Sequence, residues 1–139
     1  MVTVDTLKRG LHKGLSTTWV LSKVVVPIYV LVTFLSFTPA LGMIAEFCAP
    51  FMKYVGLPGE ASLALVVGNI LNIYAALGVI ASLQLDPREI TIIAMMLLLS
   101  HTIFVESAVA GKCGINPYLI GLTRIVLAII SGVLLNIFM

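Results

Sequence analysis

The sequence predicts an all-α membrane protein with about five transmembrane or re-entrant helices and an N-terminal amphipathic helix. Hydrophobic residues make up 60% of the chain and charged residues 10%, and the mean hydropathy is +1.17. Soluble domains carry about 25% charged residues. The charged side chains of this protein are therefore too few to cover a water-facing surface. A spanning helix needs about 20 apolar residues. The 139 residues therefore hold several spans and leave little room for a soluble catalytic domain.

Residues 1–18 predict an amphipathic helix on the membrane surface. Leu7, Leu11 and Leu15 recur at helical spacing and form one apolar stripe. The opposite side carries polar residues that include Lys8, Arg9, His12 and Lys13. This arrangement is typical of a helix at the lipid–water boundary. The alternative interpretation is a frayed polar tail.

The remaining residues, 19–139, predict a transmembrane helical domain in five segments. The apolar runs cover residues 19–37, 39–54, 60–85, 90–110 and 117–139. The second run is short for a span, so it either crosses the membrane or forms one arm of a re-entrant hairpin. A Gly-Leu-Pro-Gly turn at 56–59 follows it, and an Asp-Pro helix start at 86–87 precedes the fourth run.

The distribution of Lys and Arg predicts the orientation. If all five segments cross, Lys53 and Lys112 share one side with the basic N-terminal residues, and Arg88 lies on the other side. Because cytoplasmic loops are enriched in Lys and Arg, we expect the N-terminus in the cytoplasm. The same count places the C-terminus outside.

Several polar side chains interrupt the apolar segments and are candidates for solute contact, since polar groups in a membrane helix are costly and often functional. Asn69 and Asn72 are three residues apart, and Ala76 is four further on, so a continuous helix would place all three on one face. The alternative role for these amides is hydrogen bonding between helices. The predicted substrate-binding residues are Asn69, Asn72, His101, Ser100 and Glu46.

Glu106 and Arg124 predict an ion pair inside the membrane. They flank the turn at 111–116 at similar distances along two neighbouring segments, so an antiparallel pair of helices would bring them level. The pair would be structural, or it would act in gating. His101 precedes Glu106 by five residues, and a continuous helix would place these two on different faces.

Catalytic and metal-binding patterns are missing from the sequence. We find no nucleophile–base set, no glycine-rich phosphate loop and no Cys/His cluster, and Cys48 and Cys113 lie far apart. The basic residues of the N-terminal arm are too few for a nucleic-acid site. We therefore expect no enzyme activity, no cofactor, no metal and no nucleic-acid partner.

Three motifs resemble the nucleoside recognition, or Gate, family of bacterial membrane proteins. They are the Gly-Leu-Pro-Gly-Glu-Ala turn at 56–61, the Ser-His-Thr-Ile-Phe-Val-Glu-Ser stretch at 100–107, and the Gly-Ile-Asn-Pro turn at 114–117 followed by Arg124. The family includes the spore maturation proteins A and B, short paired Gate proteins, and the gate regions of the ferrous-iron transporter B and the concentrative nucleoside transporters. The resemblance extends over most of the chain.

The resemblance implies a Gate-like domain over 19–139, in a multi-pass protein of the bacterial cytoplasmic (inner) membrane. Our leading hypothesis is a subunit of an oligomeric transporter for a small polar solute, nucleoside-like or another metabolite. Two alternatives remain: a non-transporting scaffold in envelope or spore maturation, and an ion channel subunit. Because one Gate unit offers one side of a substrate cleft, we expect a homo-oligomer or pairing with a second Gate-family protein.

Overall fold

The computed structural model describes residues 4–139, and these residues form seven α-helices and one 3₁₀ turn. The helices are α1 (Val4–Ser36), α2 (Pro39–Met52), the 3₁₀ turn (Lys53–Val55), α3 (Ala61–Ile70), α4 (Ile73–Ser82), α5 (Pro87–Ser100), α6 (Ile103–Lys112) and α7 (Pro117–Phe138). Three stretches are long and apolar enough to cross a membrane: Val4–Leu35, Pro87–Lys112 and Pro117–Phe138. The predicted all-α membrane fold is confirmed.

The first helix, α1, runs without a break through residue 18, where we expected the amphipathic helix to end and the first span to begin. No proline lies at that point, so nothing in the local sequence forces the helix to end. Its 33 residues correspond to a length of about 50 Å. The hydrocarbon core of a bilayer is only about 30 Å thick. The N-terminal part of α1 therefore extends beyond a single crossing.

The third segment, which we expected to be one span, is a hairpin of two short helices. The chain leaves the helical conformation at Leu71 and Asn72. A Cβ atom on Gly68 would lie 3.0 Å from Ala76 Cβ, so α3 and α4 pack against each other instead of continuing in line. Each helix has 10 residues and a length of about 15 Å, half of the hydrocarbon core. The hairpin therefore enters the fold and returns to the same end.

The fourth segment, expected as one uninterrupted helix, is divided into α5 and α6 at His101 and Thr102. Both parts pack antiparallel to α7. A Cβ atom on Gly132 of α7 would meet Met96 Sδ of α5, and one on Gly121 would meet Ser107 Oγ of α6 at 3.2 Å. One long helix therefore supports two short ones placed end to end.

Arg88, Asn136 and Tyr54 meet at one end of this bundle. Arg88 Nη2 donates to the Asn136 carbonyl oxygen at 2.9 Å, and Asn136 Nδ2 donates to the Tyr54 carbonyl oxygen at 3.2 Å. Lys53 and Arg88 therefore share this end, and the 111–116 turn lies at the opposite end of α7. The expectation that Lys53 and Arg88 lie on opposite sides does not fit this arrangement, because the hairpin returns the chain to the end from which it entered.

The core lies where the hairpin packs on α5. Its largest fully buried side chains are Ile92, Ile93, Leu97 and Val79. Small residues fill the hairpin side of this contact, and Ala61, Ala64, Ala75 and Ala76 have no exposed surface. Small side chains allow membrane helices to approach closely. This packing holds the tip of the hairpin against the gap between α5 and α6.

Candidate functional site

The gap between α5 and α6 is a sharp backbone turn at His101 and Thr102. Thr102 has φ 49° and ψ 37°, and it is the only non-glycine residue with positive φ among residues 4–139. That conformation is strained for a β-branched residue. The Thr102 backbone N–H donates to the Gly68 carbonyl oxygen at 3.1 Å. The gap is thus bonded to the last turn of α3, near the tip of the hairpin.

Arg124, on α7, binds the open carbonyl groups at the C-terminus of α5. Its Nε donates to the Leu99 carbonyl oxygen at 2.8 Å, and its Nη2 lies 3.5 Å from the His101 carbonyl oxygen. A helix C-terminus carries partial negative charge and unpaired carbonyls, so a guanidinium group is favourable there. Inside a membrane these carbonyls would otherwise have no donor.

Glu106 balances the charge of Arg124. Its Oε2 accepts a hydrogen bond from Arg124 Nη1, which is the contact expected from the sequence. Its Oε1 accepts from Thr102 Oγ1 at 3.1 Å and lies 3.7 Å from His101 Nε2. The expected separation of His101 and Glu106 is wrong, because the gap removes His101 from the helix that carries Glu106. Glu106 also occupies the first turn of α6, where a helix favours negative charge.

Asn69 and Asn72 lie on either side of the hairpin tip, and the expectation that they share one helix face is wrong. The Asn72 side chain accepts from the Ala75 backbone N–H at 2.9 Å and forms the N-cap of α4. Asn69 Nδ2 donates to the Leu65 carbonyl oxygen at 2.7 Å. Asn69 Oδ1 is buried and has no hydrogen-bond partner in the part of the chain that the structure describes. A buried acceptor without a donor is costly, which marks this atom as a candidate ligand contact.

A cavity of about 360 Å³ lies between α3, α5, α6 and α7. Its lining is apolar except for Asn69 and Ser100, and the full set is Leu65, Val66, Asn69, Ile70, Met96, Ser100, Ile103, Phe104, Ile125, Ala128 and Ile129. The Ser100 hydroxyl donates to the Met96 carbonyl oxygen at 2.9 Å. The cavity is open on one side, where Val66, Ile70 and Phe104 are exposed, and its volume is in the usual range for a small-molecule site.

Of the five predicted site residues, Asn69 and Ser100 line this cavity together, and the other three lie elsewhere. Asn72 is used as a helix cap, and His101 Nδ1 is 3.0 Å from the Leu97 carbonyl oxygen. Glu46 lies on the exposed side of α2. A side chain on Gly59 would collide with the Ala45 carbonyl. Ala45, the residue before Glu46, therefore packs on the turn that precedes α3. This position is away from the hairpin tip.

A second cavity of about 530 Å³ continues from the first between α6 and α7. The two share Ile103, Phe104 and Ile125. Ser107 lines the second cavity, and its Oγ is also buried without a partner among residues 4–139. The sequence reasoning missed Gly68, Thr102 and Ser107. The first two act through backbone atoms, and Ser107 could have been noticed as a small polar residue one turn beyond the gap.

The hairpin and the gap between α5 and α6 fall within a region that matches a known family. The family described as Gate, nucleoside recognition, matches residues 18–116. The chain belongs to the Gate family. The Gate match includes the hairpin, the gap between α5 and α6, and Glu106, and it stops before α7 and Arg124.

The chain is also similar to the uncharacterised membrane protein YvoD of Bacillus subtilis (strain 168). It is 42% identical over 127 residues, which are 91% of this chain and 41% of YvoD. The chain therefore spans about two fifths of the length of this curated relative. No solved structure gives a significant match to the chain.

Proposed function

We propose that this Gate protein is a subunit of an oligomeric membrane transporter for a small, uncharged polar solute. The observation that carries the proposal is the meeting of four helix ends: the C-termini of α3 and α5 and the N-termini of α4 and α6. The hydrogen bond from the Thr102 N–H to the Gly68 carbonyl joins the gap between α5 and α6 to the end of α3, next to the break between α3 and α4. Transporters commonly bind their substrates on such interrupted helices near the middle of the bilayer.

The lining of the first cavity supports an uncharged solute. No charged residue is among its lining side chains. The nearby charges are engaged with each other, since Arg124 binds Glu106 and the Leu99 carbonyl. Asn69 Oδ1 offers one open acceptor, and the apolar side chains around it suit a ring or another apolar face. A nucleoside-like solute combines a hydrogen-bond donor with such a face, in accord with the description of the family.

The exposure of Glu106 supports an oligomer. Its side chain is 45% exposed in the isolated chain, against 18% for Arg124. A carboxylate facing lipid near the middle of the bilayer is costly. We propose that a second chain covers this side, with a homo-oligomer preferred over a separate Gate protein. The basic residues of the N-terminal helix favour a cytoplasmic N-terminus in the bacterial inner membrane.

Binding and uptake by the purified chain would test the proposal. A labelled purine or pyrimidine nucleoside should raise the thermal unfolding temperature in detergent and accumulate saturably in proteoliposomes. Asn69→Ala should weaken binding about tenfold, equivalent to about 1.4 kcal/mol, because the solute donor would lose its acceptor. Gln84→Ala is the matched control, since this exposed amide lies outside the cavity. A scaffold would show no binding and no uptake above empty liposomes.

A further inference from the structure

The N-terminal half of α1 is an unpartnered helix, here named the basic arm and defined as Val4–Thr18. Every residue of the arm is exposed. The apolar stripe is exposed along its whole length, with Leu7 at 71%, Leu11 at 64% and Leu15 at 65%. Such a stripe needs an apolar surface to cover it, because an ordered helix with three exposed leucines on one face is unfavourable in water.

The charges of the arm indicate what that surface carries. Its charged residues are Lys8, Arg9, Lys13 and Asp5, and His12 adds a group that is positive when protonated. The side chain of Arg9 donates from Nε to the Asp5 backbone carbonyl, not to its carboxylate. Two copies of the arm in parallel would bring like charges together. An anionic surface matches both the positive charge and the apolar stripe.

The arm also contains two glycines that its surroundings do not require. A Cβ atom on Gly10 or Gly14 would meet nothing within 4 Å, and neither residue has positive φ. Neither packing nor backbone conformation therefore requires glycine there, and the remaining effect of glycine is to weaken the helix. Ser16, Thr17 and Thr18 follow, and the Ser22 hydroxyl donates to the Thr18 carbonyl oxygen at 2.8 Å, a bond that favours bending.

We propose that the basic arm bends away from the rest of α1 within residues 14–18 and lies on anionic lipid headgroups. The leucine stripe inserts at the boundary of the hydrocarbon core, and the lysine and arginine side chains bind headgroup phosphates. The bilayer is adjacent to the arm because α1 continues directly into an apolar span. This proposal does not depend on transport, since it rests on the arm alone.

A fluorescent reporter in the full chain would test the arm. Trp19 is the single tryptophan, so Leu11→Trp in a Trp19→Phe background gives one probe on the stripe. The protein would be reconstituted in phosphatidylcholine vesicles, with and without phosphatidylglycerol, and quenched by lipids brominated on the acyl chain. We expect strong quenching with phosphatidylglycerol and weak quenching without it. High salt should reduce the quenching, because it screens surface charge.

Two sets of variants separate the parts of this proposal. The triple variant Lys8→Gln, Arg9→Gln, Lys13→Gln should lose most of the phosphatidylglycerol dependence, and Lys53→Gln, outside the arm, should keep it. Gly10→Ala with Gly14→Ala should reduce quenching by stiffening the helix, without any steric clash. Absence of quenching in both lipid mixtures would overturn the surface location. Equal quenching in both mixtures, or in the triple variant, would overturn the role of anionic lipid.

Discussion

Arg124 donates its Nε–H to the carbonyl oxygen of Leu99, 25 residues earlier in the chain, at 2.8 Å. This bond joins α7 to the last turn of α5 where the helix stops. The same side chain pairs with Glu106 at the start of α6. Arg124, on the continuous helix α7, thus binds both the C-terminus of α5 and the N-terminus of α6. The arrangement supplies a donor to carbonyls that lipid could not satisfy.

The first prediction concerns removal of this donor. Arg124→Gln should lower the free energy of unfolding by about 3–5 kcal/mol, because Glu106 would be left as an uncompensated charge. Arg124→Lys should keep the charge but lose the fork of hydrogen bonds, with a smaller loss. Thermal unfolding in detergent would measure both. Arg9→Gln, in the exposed arm, is the control and should change stability little. A loss in Arg124→Gln no larger than in the control would contradict the prediction.

The second prediction concerns the backbone at Thr102. Thr102→Pro should destabilise the fold by about 3 kcal/mol or more, since proline fixes φ near −65° and has no N–H for the Gly68 carbonyl. Thr102→Asn should be tolerated, because asparagine adopts positive φ more readily. Unfolding in detergent compares the two variants. Equal stability of both would show that the positive φ and the bond to Gly68 are not required.

The third prediction uses two helical glycines with different surroundings. A Cβ atom on Gly68 would lie 2.5 Å from Leu97 Cδ2, so Gly68→Ala should destabilise by about 1–3 kcal/mol. Gly42 has nothing within 4 Å of the same position, so Gly42→Ala should stabilise by up to about 1 kcal/mol. Opposite signs in thermal unfolding would support the close packing of the hairpin on α5. A stabilising Gly68→Ala would argue against it.

The fourth prediction is the topology that follows from the hairpin. In a Cys48→Ser, Cys113→Ser background, Lys53→Cys and Arg88→Cys should react with an impermeant thiol reagent from the same side of the membrane. Lys112→Cys should react from the opposite side. An N-terminal reporter should be active in the cytoplasm. Labelling of positions 53 and 88 from opposite sides would restore five crossings and exclude the hairpin.

The ends of the helices show where the local sequence pattern was sufficient to predict them and where it was not. The start of α5 was predictable because Asp86 and Glu89 form a reciprocal cap around Pro87. The gap after Ser100 was not, because neither His101 nor Thr102 is a helix breaker in the way proline and glycine are. Arg124 and Gly68 stabilise that gap from other parts of the chain. The hairpin tip carried only a weak signal in Asn72, which caps a helix as readily as it bonds between helices.

The sequence by itself determined that this protein is a helical membrane protein. Composition and the length of the apolar runs are sufficient for that conclusion, because they do not depend on how distant segments pack. It also indicated the Glu106–Arg124 contact, since a charge inside a membrane needs a partner and a turn sets the depth of both. Only the tertiary structure decided that residues 60–85 fold back and that Asn69 shares a cavity with Ser100 but not with His101. The physical reason is that interrupted helices expose backbone groups, whose partners come from segments distant in the chain.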